Sequence, residues 1–374
     1  MNAGVIIIGA GPAGSWLAYK LAKNDIDVLL LEKESWPRYK PCGGAVSGKT
    51  IKLLKKHGVI LPDEIIEKVI NNFNFRFNYQ SPVKFNYTKR GIALVDRTNF
   101  DDYLLKLALK AGARFKSEEE LIDIKITQNG AIVITDKARY NCEIVAGADG
   151  ASSKTAHLLG LLPDDILNNR GMAVEMEIND IKDISSTLID NQEILIDFGF
   201  IPGGYAWVFP KNEHFSIGMG TLTGERVDFK DKLRKYLSKL NISHKSNSFY
   251  RGHPIPFYGK TAGKIRVGGE RFLLLGDAAH FADPLVGEGI YYACLSAELA
   301  ADTIMEAFRS GNSNLSLYQD KVRKELSGRF KIIQKMADIF YNKLDYFKLL
   351  VSLKPDIIQL FLDVVQGEYS YDRL

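Results

Sequence analysis

Val5-Ile6-Ile7-Ile8-Gly9-Ala10-Gly11-Pro12-Ala13-Gly14 stands almost at the start of the chain, and its reading decides the fold. Four apolar residues in a row suit a strand buried on both faces, as in a parallel sheet. A Gly-x-Gly-x-x-Gly turn follows without a spacer. Ser15–Asn24 then reads as a helix, and Val28–Leu31 as a second apolar strand that ends at Glu32. The three glycines serve different ends. Gly9 permits the tight turn, Gly11 lets a pyrophosphate approach the backbone, and Gly14 lets helix and strand pack closely. The helix N-terminus offers that anion unpaired N–H groups and a partial positive charge. Glu32 lies where a carboxylate can accept hydrogen bonds from a ribose diol. Gly9, Gly11, Pro12, Ala13, Gly14, Glu32 and the adjoining Lys33 are therefore candidate contacts of a dinucleotide. This unit alone does not separate NAD from FAD.

Working outward, 374 residues can bury a large core and accommodate two or three structural units. Hydrophobic residues at 46% and charged residues at 25% are ordinary for a globular protein. With 49 basic against 45 acidic residues the net charge is only +4, which does not suggest a nucleic-acid binder. Cys42, Cys142 and Cys294 are too few and too dispersed for a disulfide framework or a structural zinc site, so no metal is expected. A reduced, cytoplasmic setting follows. The N-terminus reads as a strand rather than a signal peptide, and no run approaches a membrane span.

Three further segments point to flavin. Phe272–His280 is an apolar strand ending in Gly276-Asp277, followed by Pro284-Leu285-Val286-Gly287-Glu288-Gly289-Ile290 and a helix from about Tyr291 to Phe308. The string resembles the second FAD motif of the glutathione-reductase-like flavoproteins, the group containing aromatic hydroxylases. That resemblance implies that Asp277 binds the ribityl chain and that Gly276, Pro284, Gly287, Gly289 and Ile290 line the flavin. The helix dipole would favour an anionic reduced ring. Ile144–Ser153 resembles the Asp-Gly motif of the same proteins and implies that Asp149 braces the pyrophosphate region. Arg97 matches a position that contacts FAD there, just before an N-terminal cap signature at Thr98 and Asp101. Leu121 falls where family members touch adenine through backbone.

Two segments narrow the resemblance to the geranylgeranyl reductase family. One is Pro37-Arg38-Tyr39-Lys40-Pro41-Cys42-Gly43-Gly44-Ala45, similar to that family's PCGG loop beside the isoalloxazine. Many members carry a third glycine where this chain has Ala45. The other is Tyr205-Ala206-Trp207-Val208-Phe209-Pro210 followed by Gly218-Met219-Gly220, the family's YxWxFP…GxG pattern. Tyr205, Trp207 and Phe209 alternate at strand period, so they also read simply as one sheet face. With Gly218 and Gly220 they are candidate residues of a flat apolar pocket.

The expected fold is α/β. A Rossmann-type FAD-binding domain (1–68, 89–160 and 264–312) is interrupted by an antiparallel β-sheet substrate domain (69–88 and 161–263). The latter includes the alternation Phe73, Phe75, Phe77, Tyr79. A helical region (313–374) follows. The resemblance implies reduction of isolated double bonds in an isoprenoid chain, with reduced FAD as hydride donor and NAD(P)H or reduced ferredoxin as electron source. Cys42 is the first candidate for proton donor, ahead of Tyr205 and His280. A lipid substrate would imply loose membrane attachment. The rivals are a flavin hydroxylase or epoxidase, a halogenase, and an electron-carrier or redox-sensing flavoprotein. The intact PCGG and YxWxFP segments speak against the first, and the lack of a Gly-rich loop with a suitably placed lysine against the second.

Overall fold

The computed structural model describes all residues except 1, 79–81, 167–169, 180–191, 224–225, 243–249, 260 and 372–374; Tyr79 thus lies outside the described residues. The chain forms two compact units. The first comprises Met1–Tyr39, Thr98–Asn169 and Pro256–Lys331; the second comprises Lys40–Arg97, Arg170–Ile255 and Ile332–Leu374.

The first unit is built on a parallel sheet. Its strands run in the order Phe272–Leu274, Arg139–Gly147, Asn2–Ile8, Val28–Leu31, Arg114–Lys116, with Val5 beside both Val28 and Ile144. Ile6 and Ile7 are wholly buried, because a parallel strand is covered on both faces. The helices Pro12–Ala22 and Ile290–Ser310 provide cover and pack on each other. Pro12 sits at the first helical position, where its missing N–H costs nothing. An antiparallel hairpin, Leu121–Thr127 with Gly130–Thr135, extends from strand Arg139–Gly147.

The second unit holds a seven-stranded sheet in the order Arg251–Ile255, Gly171–Ile178, Phe215–Thr221, Gly204–Pro210, Ile194–Phe198, Asn72–Phe77, Val83–Asn86. All neighbours are antiparallel except Ile194–Phe198 with Asn72–Phe77. Strand alternation sorts the side chains by face. Val174, Met176, Leu195, Val208, Ile217 and Met219 pack with helix Phe229–Lys239. Phe73, Phe75, Phe77, Phe198, Trp207 and Phe209 share a cluster with Val351, Ile358 and Leu362 of helices Leu344–Leu353 and Asp356–Val365.

Several segments group differently from the sequence expectation, among them residues 256–263, read as substrate domain but grouped with the first unit. Residues 40–68 and 89–97, read as part of the FAD domain, belong with the second unit, as do the helices from Ile332 onward. Hydrogen bonding supplies the reason. Ala45–Val46 and Lys68–Ile70 both pair with Ile92–Leu94 in a small separate sheet. The Gly48 N–H donates to Gln366 Oε1 at 2.5 Å, and the Tyr87 hydroxyl donates to Asp363 Oδ1 at 2.8 Å. The tail helices are therefore part of this unit's core. Tyr87→Phe is expected to cost about 1–2 kcal/mol, since buried Asp363 loses a donor; thermal denaturation checks it.

Candidate functional site

In the first unit the opening turn shows which glycines the protein itself requires. A Cβ on Gly14 would overlap the Gly9 carbonyl and stand 3.2 Å from Ile7 Cγ2. Gly9 has φ +100°, and its Cβ would lie 2.5 Å from the Ala148 carbonyl oxygen and 2.9 Å from Asp149 Cα. Gly11 differs, because its Cβ would meet only Arg38 Nη2, at 3.4 Å. The protein leaves that position open at the helix N-terminus with a cation beside it, as a pyrophosphate requires. Arg38 is held by Asp101 at 3.1 Å and lies over the Trp36 ring at 5.1 Å. Helix Arg97–Lys110 starts one residue before the expected cap, at buried Arg97, and its Asp101 carboxylate pairs with Arg38.

Glu32 is buried at the end of the second strand. Its Oε2 accepts from the Ala10 N–H at 2.9 Å and its Oε1 from the Glu34 N–H at 3.1 Å. A carboxylate has about four lone-pair positions, so these bonds fix its orientation and leave capacity for a ribose diol. Lys33 is exposed and lies 3.8 Å from Glu34. Asp149 is an acceptor twice, from Ser153 Oγ at 2.6 Å and the Thr155 N–H at 2.9 Å, and so anchors the short helix Lys154–Leu158. Burial pushes its carboxyl up, against those bonds, which pull it down. Leu121 is buried in the hairpin.

Gly276, at φ +52°, sits between the two helices, its Cβ position 3.2 Å from that of Ala13 and 3.3 Å from that of Ala293. Asp277 is thereby brought to the start of helix Ile290–Ser310, with Oδ1 3.3 Å from where a Gly289 Cβ would be. Pro284 and Gly287 belong to a loop shaped by Asp283, whose Oδ1 accepts from Leu285 N–H at 2.8 Å and Val286 N–H at 3.0 Å, and Ile290 is the first residue of the helix that follows. His280 is buried and left-handed, closing the turn after Asp277. Thus the open Gly11, Arg38, Glu32 and Asp277 all lie within one unit and fit an FAD.

The second unit brings together the PCGG and YxWxFP segments. Strand Gly204–Pro210 pairs with Phe215–Thr221 so that Tyr205 faces Gly220, Trp207 faces Gly218 and Phe209 faces Ser216. A Cβ on Gly218 would come 2.7 Å from Trp207 Cε2 and 2.5 Å from the Val174 carbonyl oxygen, so the glycine makes the space that Trp207 occupies. The loop then rests on this wall: a Cβ on Gly43 would stand 2.7 Å from Phe209 Cε2 and 3.2 Å from Trp207 Nε1. Cys42 is half-buried, and its Sγ accepts from the Gly44 N–H at 3.4 Å. Gly44 turns at φ +71°, and half-buried Ala45 opens the small sheet. Tyr205 is half-buried, 6.0 Å from Trp207 between ring centroids. Gly218→Ala is expected to cost about 1–3 kcal/mol through overpacking while leaving FAD binding intact, as thermal denaturation and flavin absorbance would report.

Some site residues are not legible in the sequence. Arg38 reads only as one member of a loop, and nothing local says that it approaches Gly11. Asp283 carries a signal, an Asp before Pro in a turn-rich stretch. Glu175 and Lys211 lie on or beside strands among ordinary residues and carry none.

The comparisons with known proteins agree with this geometry. The model of the FAD binding domain family matches residues 2–326. A protein of Methanosarcina barkeri, designated Mbar_A1602, is 33% identical over 94% of this chain and 87% of its own length. A geranylgeranyl diphosphate reductase of Rhodobacter capsulatus is 28% identical over 96% and 89%. Among solved structures, a geranylgeranyl bacteriochlorophyll reductase-like protein of Thermoplasma acidophilum superposes with TM-score 0.78 at 20% identity, covering 98% of this chain and 91% of that one. The chain belongs to the FAD binding domain family and is an FAD-dependent oxidoreductase of the geranylgeranyl reductase family.

Proposed function

We propose that the chain saturates isolated carbon–carbon double bonds in a prenyl chain of the geranylgeranyl class. The observation that carries this reading is a thiol on a glycine loop seated against an aromatic wall, Cys42 and Gly43 on Trp207 and Phe209. An isolated alkene has no dipole to grip, so its binding rests on apolar contact, which such a wall supplies. Tyr205, Gly218 and Gly220 extend the same surface.

Saturation adds a hydride and a proton across the double bond. FAD, when bound, supplies the hydride chemistry. Gly9, Gly11, Gly14, Glu32, Arg38, Arg97 and Asp277 would hold it, with Asp149 bracing the turn behind them. The proton comes from the chain, and Cys42 is its donor, ahead of Tyr205. The sequence contains a single Gly-x-Gly-x-x-Gly unit at a strand–helix turn, so the reducing equivalents come from reduced ferredoxin or from NAD(P)H bound transiently.

Attachment to a membrane surface, on the cytoplasmic side, accompanies this reading. No helix among the described residues is long and apolar enough to cross a membrane. Helix Leu344–Leu353 exposes Tyr346, Leu349 and Leu353 at helical spacing, with Lys343, Lys348 and Lys354 around them, a pattern suited to anionic interfaces. Leu349→Glu with Leu353→Glu is expected to abolish co-sedimentation with anionic liposomes at low salt; equal sedimentation of variant and parent would remove the patch from the account.

The deciding experiment for the reaction is anaerobic. The flavin of the purified protein is reduced with dithionite, and geranylgeranyl diphosphate or an unsaturated ether lipid is added. Flavin reoxidation with product mass rising in steps of two hydrogens establishes prenyl reduction. Flavin that stays reduced until oxygen is admitted rejects it in favour of a monooxygenase.

A further inference from the structure

Behind the Cys42 loop, inside the second unit, lies a hydrogen-bonded circuit whose two charged members, Glu175 and Lys211, belong neither to the sequence motifs nor to the proposed reaction. It starts at the Trp207 indole, whose Nε1 donates to Ser216 Oγ at 3.2 Å; Ser216 in turn donates to Glu175 Oε1 at 2.5 Å. The other carboxylate oxygen, Oε2, accepts the backbone N–H of Cys42. From there the circuit follows the loop: Gly44 N–H to Cys42 Sγ at 3.4 Å, then Val95 N–H to the Gly44 carbonyl at 2.9 Å. Lys211 closes it by donating Nζ to the Val95 carbonyl at 2.5 Å. A Cβ on Gly44, at φ +71°, would overlap the Val95 carbonyl oxygen and stand 2.5 Å from that ammonium, so backbone conformation and space both require glycine there. Glu175 and Lys211 are each only 3% exposed.

Buried opposite charges are a poor source of stability, because desolvation offsets most of their attraction. What they do provide is fixed geometry. Glu175 grips the N-terminal end of the loop, and Lys211 grips Val95, the residue after strand Ile92–Leu94, which holds the loop's C-terminal end.

We infer that Glu175 and Lys211 are positioning residues for Cys42, a buried pair of opposite charge that fixes the Cys42–Gly44 loop through its backbone against Trp207 and Phe209. The consequence for turnover rests on Cys42 being the proton donor proposed above; the positioning itself does not.

Burial pushes the Glu175 carboxyl up, with Glu177 adding to the rise, while Ser216, the Cys42 N–H and Lys211 pull it down. Burial pushes the Lys211 ammonium down, against Glu67, Cys42, Glu175 and Asp96, which raise it. Both groups are therefore charged together over a narrower pH window than exposed side chains would be. Acid discharges Glu175 and alkali discharges Lys211, and either removes the charge assistance from its hydrogen bond in the circuit.

The test uses the full-length, FAD-loaded protein and the variants Glu175→Gln, Glu175→Asp, Ser216→Ala and Lys211→Met. Hydrogen exchange at the peptide spanning 40–47 is read first, since it needs no turnover. Exchange about tenfold faster in Glu175→Gln and Lys211→Met, smaller in Ser216→Ala and partly restored in Glu175→Asp, is expected, with the peptide covering 100–110 unchanged. With geranylgeranyl diphosphate, kcat falls about tenfold or more while KM stays within about threefold, and the acid limb of the kcat profile disappears in Glu175→Gln. If Glu175→Gln does not fold, Ser216→Ala, which leaves the carboxylate in place, decides alone. Unchanged exchange at 40–47 in folded, FAD-loaded variants overturns the inference. Faster exchange in a protein whose parent reduces no prenyl substrate upholds the positioning and overturns the proposed reaction instead.

Discussion

Cys42→Ser is expected to lower kcat for prenyl reduction by about 10²- to 10³-fold, with KM within about threefold and the flavin absorbance unchanged. A hydroxyl is a far weaker acid than a thiol, whereas the shape of the loop survives, because serine can still accept the Gly44 N–H that Sγ accepts at 3.4 Å. The loss would therefore fall on the proton-transfer step and not on binding. No other thiol can stand in. Cys142 and Cys294 are buried in the first unit, and burial pushes the Cys142 thiol up to about 12. The same contrast gives a control: a thiol reagent applied to the native protein should modify Cys42 alone, and should inactivate the parent while leaving Cys42→Ser unaffected. Cys42→Ser turning over at the parental rate would pass the role to Tyr205, half-buried at the edge of the same aromatic wall.

How much of this can be read from the chain depends on how far apart the cooperating residues lie in it. The opening turn is legible because strand, glycines, helix, second strand and acid are contiguous, and the structure keeps their order and pairing, Val5 beside Val28 and Ile8 beside Leu31. The alternation Tyr205, Trp207, Phe209 predicts a strand, and the register opposite Gly220, Gly218 and Ser216 follows from the short return loop. The domain limits are not legible. Nothing local to Pro37–Ala45 says that Ala45–Val46 will pair with Ile92–Leu94, or that Gly48 will bond a glutamine 318 residues away. Likewise the C-terminal helices read as a separate amphipathic region because their apolar faces are visible in sequence while the surface they cover, Phe73, Phe75 and Phe198, is not. Glu175 and Lys211 escape for a related reason. A lone acid and a lone lysine in a sheet normally point to solvent, and only the folded chain turns both inward.

The second and third glycines of the opening turn make the sharpest contrast between holding the fold and holding the cofactor. Gly14→Ala places a methyl group over the Gly9 carbonyl and 3.2 Å from Ile7 Cγ2, in a wholly buried helix–strand contact. Backbone cannot swing aside as a flexible side chain can, so helix Pro12–Ala22 must move off the sheet. Overpacking of this kind costs about 1–3 kcal/mol and occasionally more, which is a large share of a domain's stability; Gly14→Ala is expected to purify poorly, without flavin, and to melt well below the parent. Gly11→Ala is expected to behave oppositely. Its methyl group meets only the Arg38 guanidinium, at 3.4 Å, so the apoprotein should melt within a few degrees of the parental apoprotein. It does, however, stand where a pyrophosphate would approach the helix N-terminus, and FAD affinity should fall by about 100-fold, the effect of losing charge-assisted hydrogen bonds together with close approach. Thermal denaturation of apoprotein and FAD titration by fluorescence quenching separate the two effects. If Gly11→Ala binds FAD as the parent does, the cofactor does not pass over this turn, and the roles given to Arg38 and Glu32 fall with it.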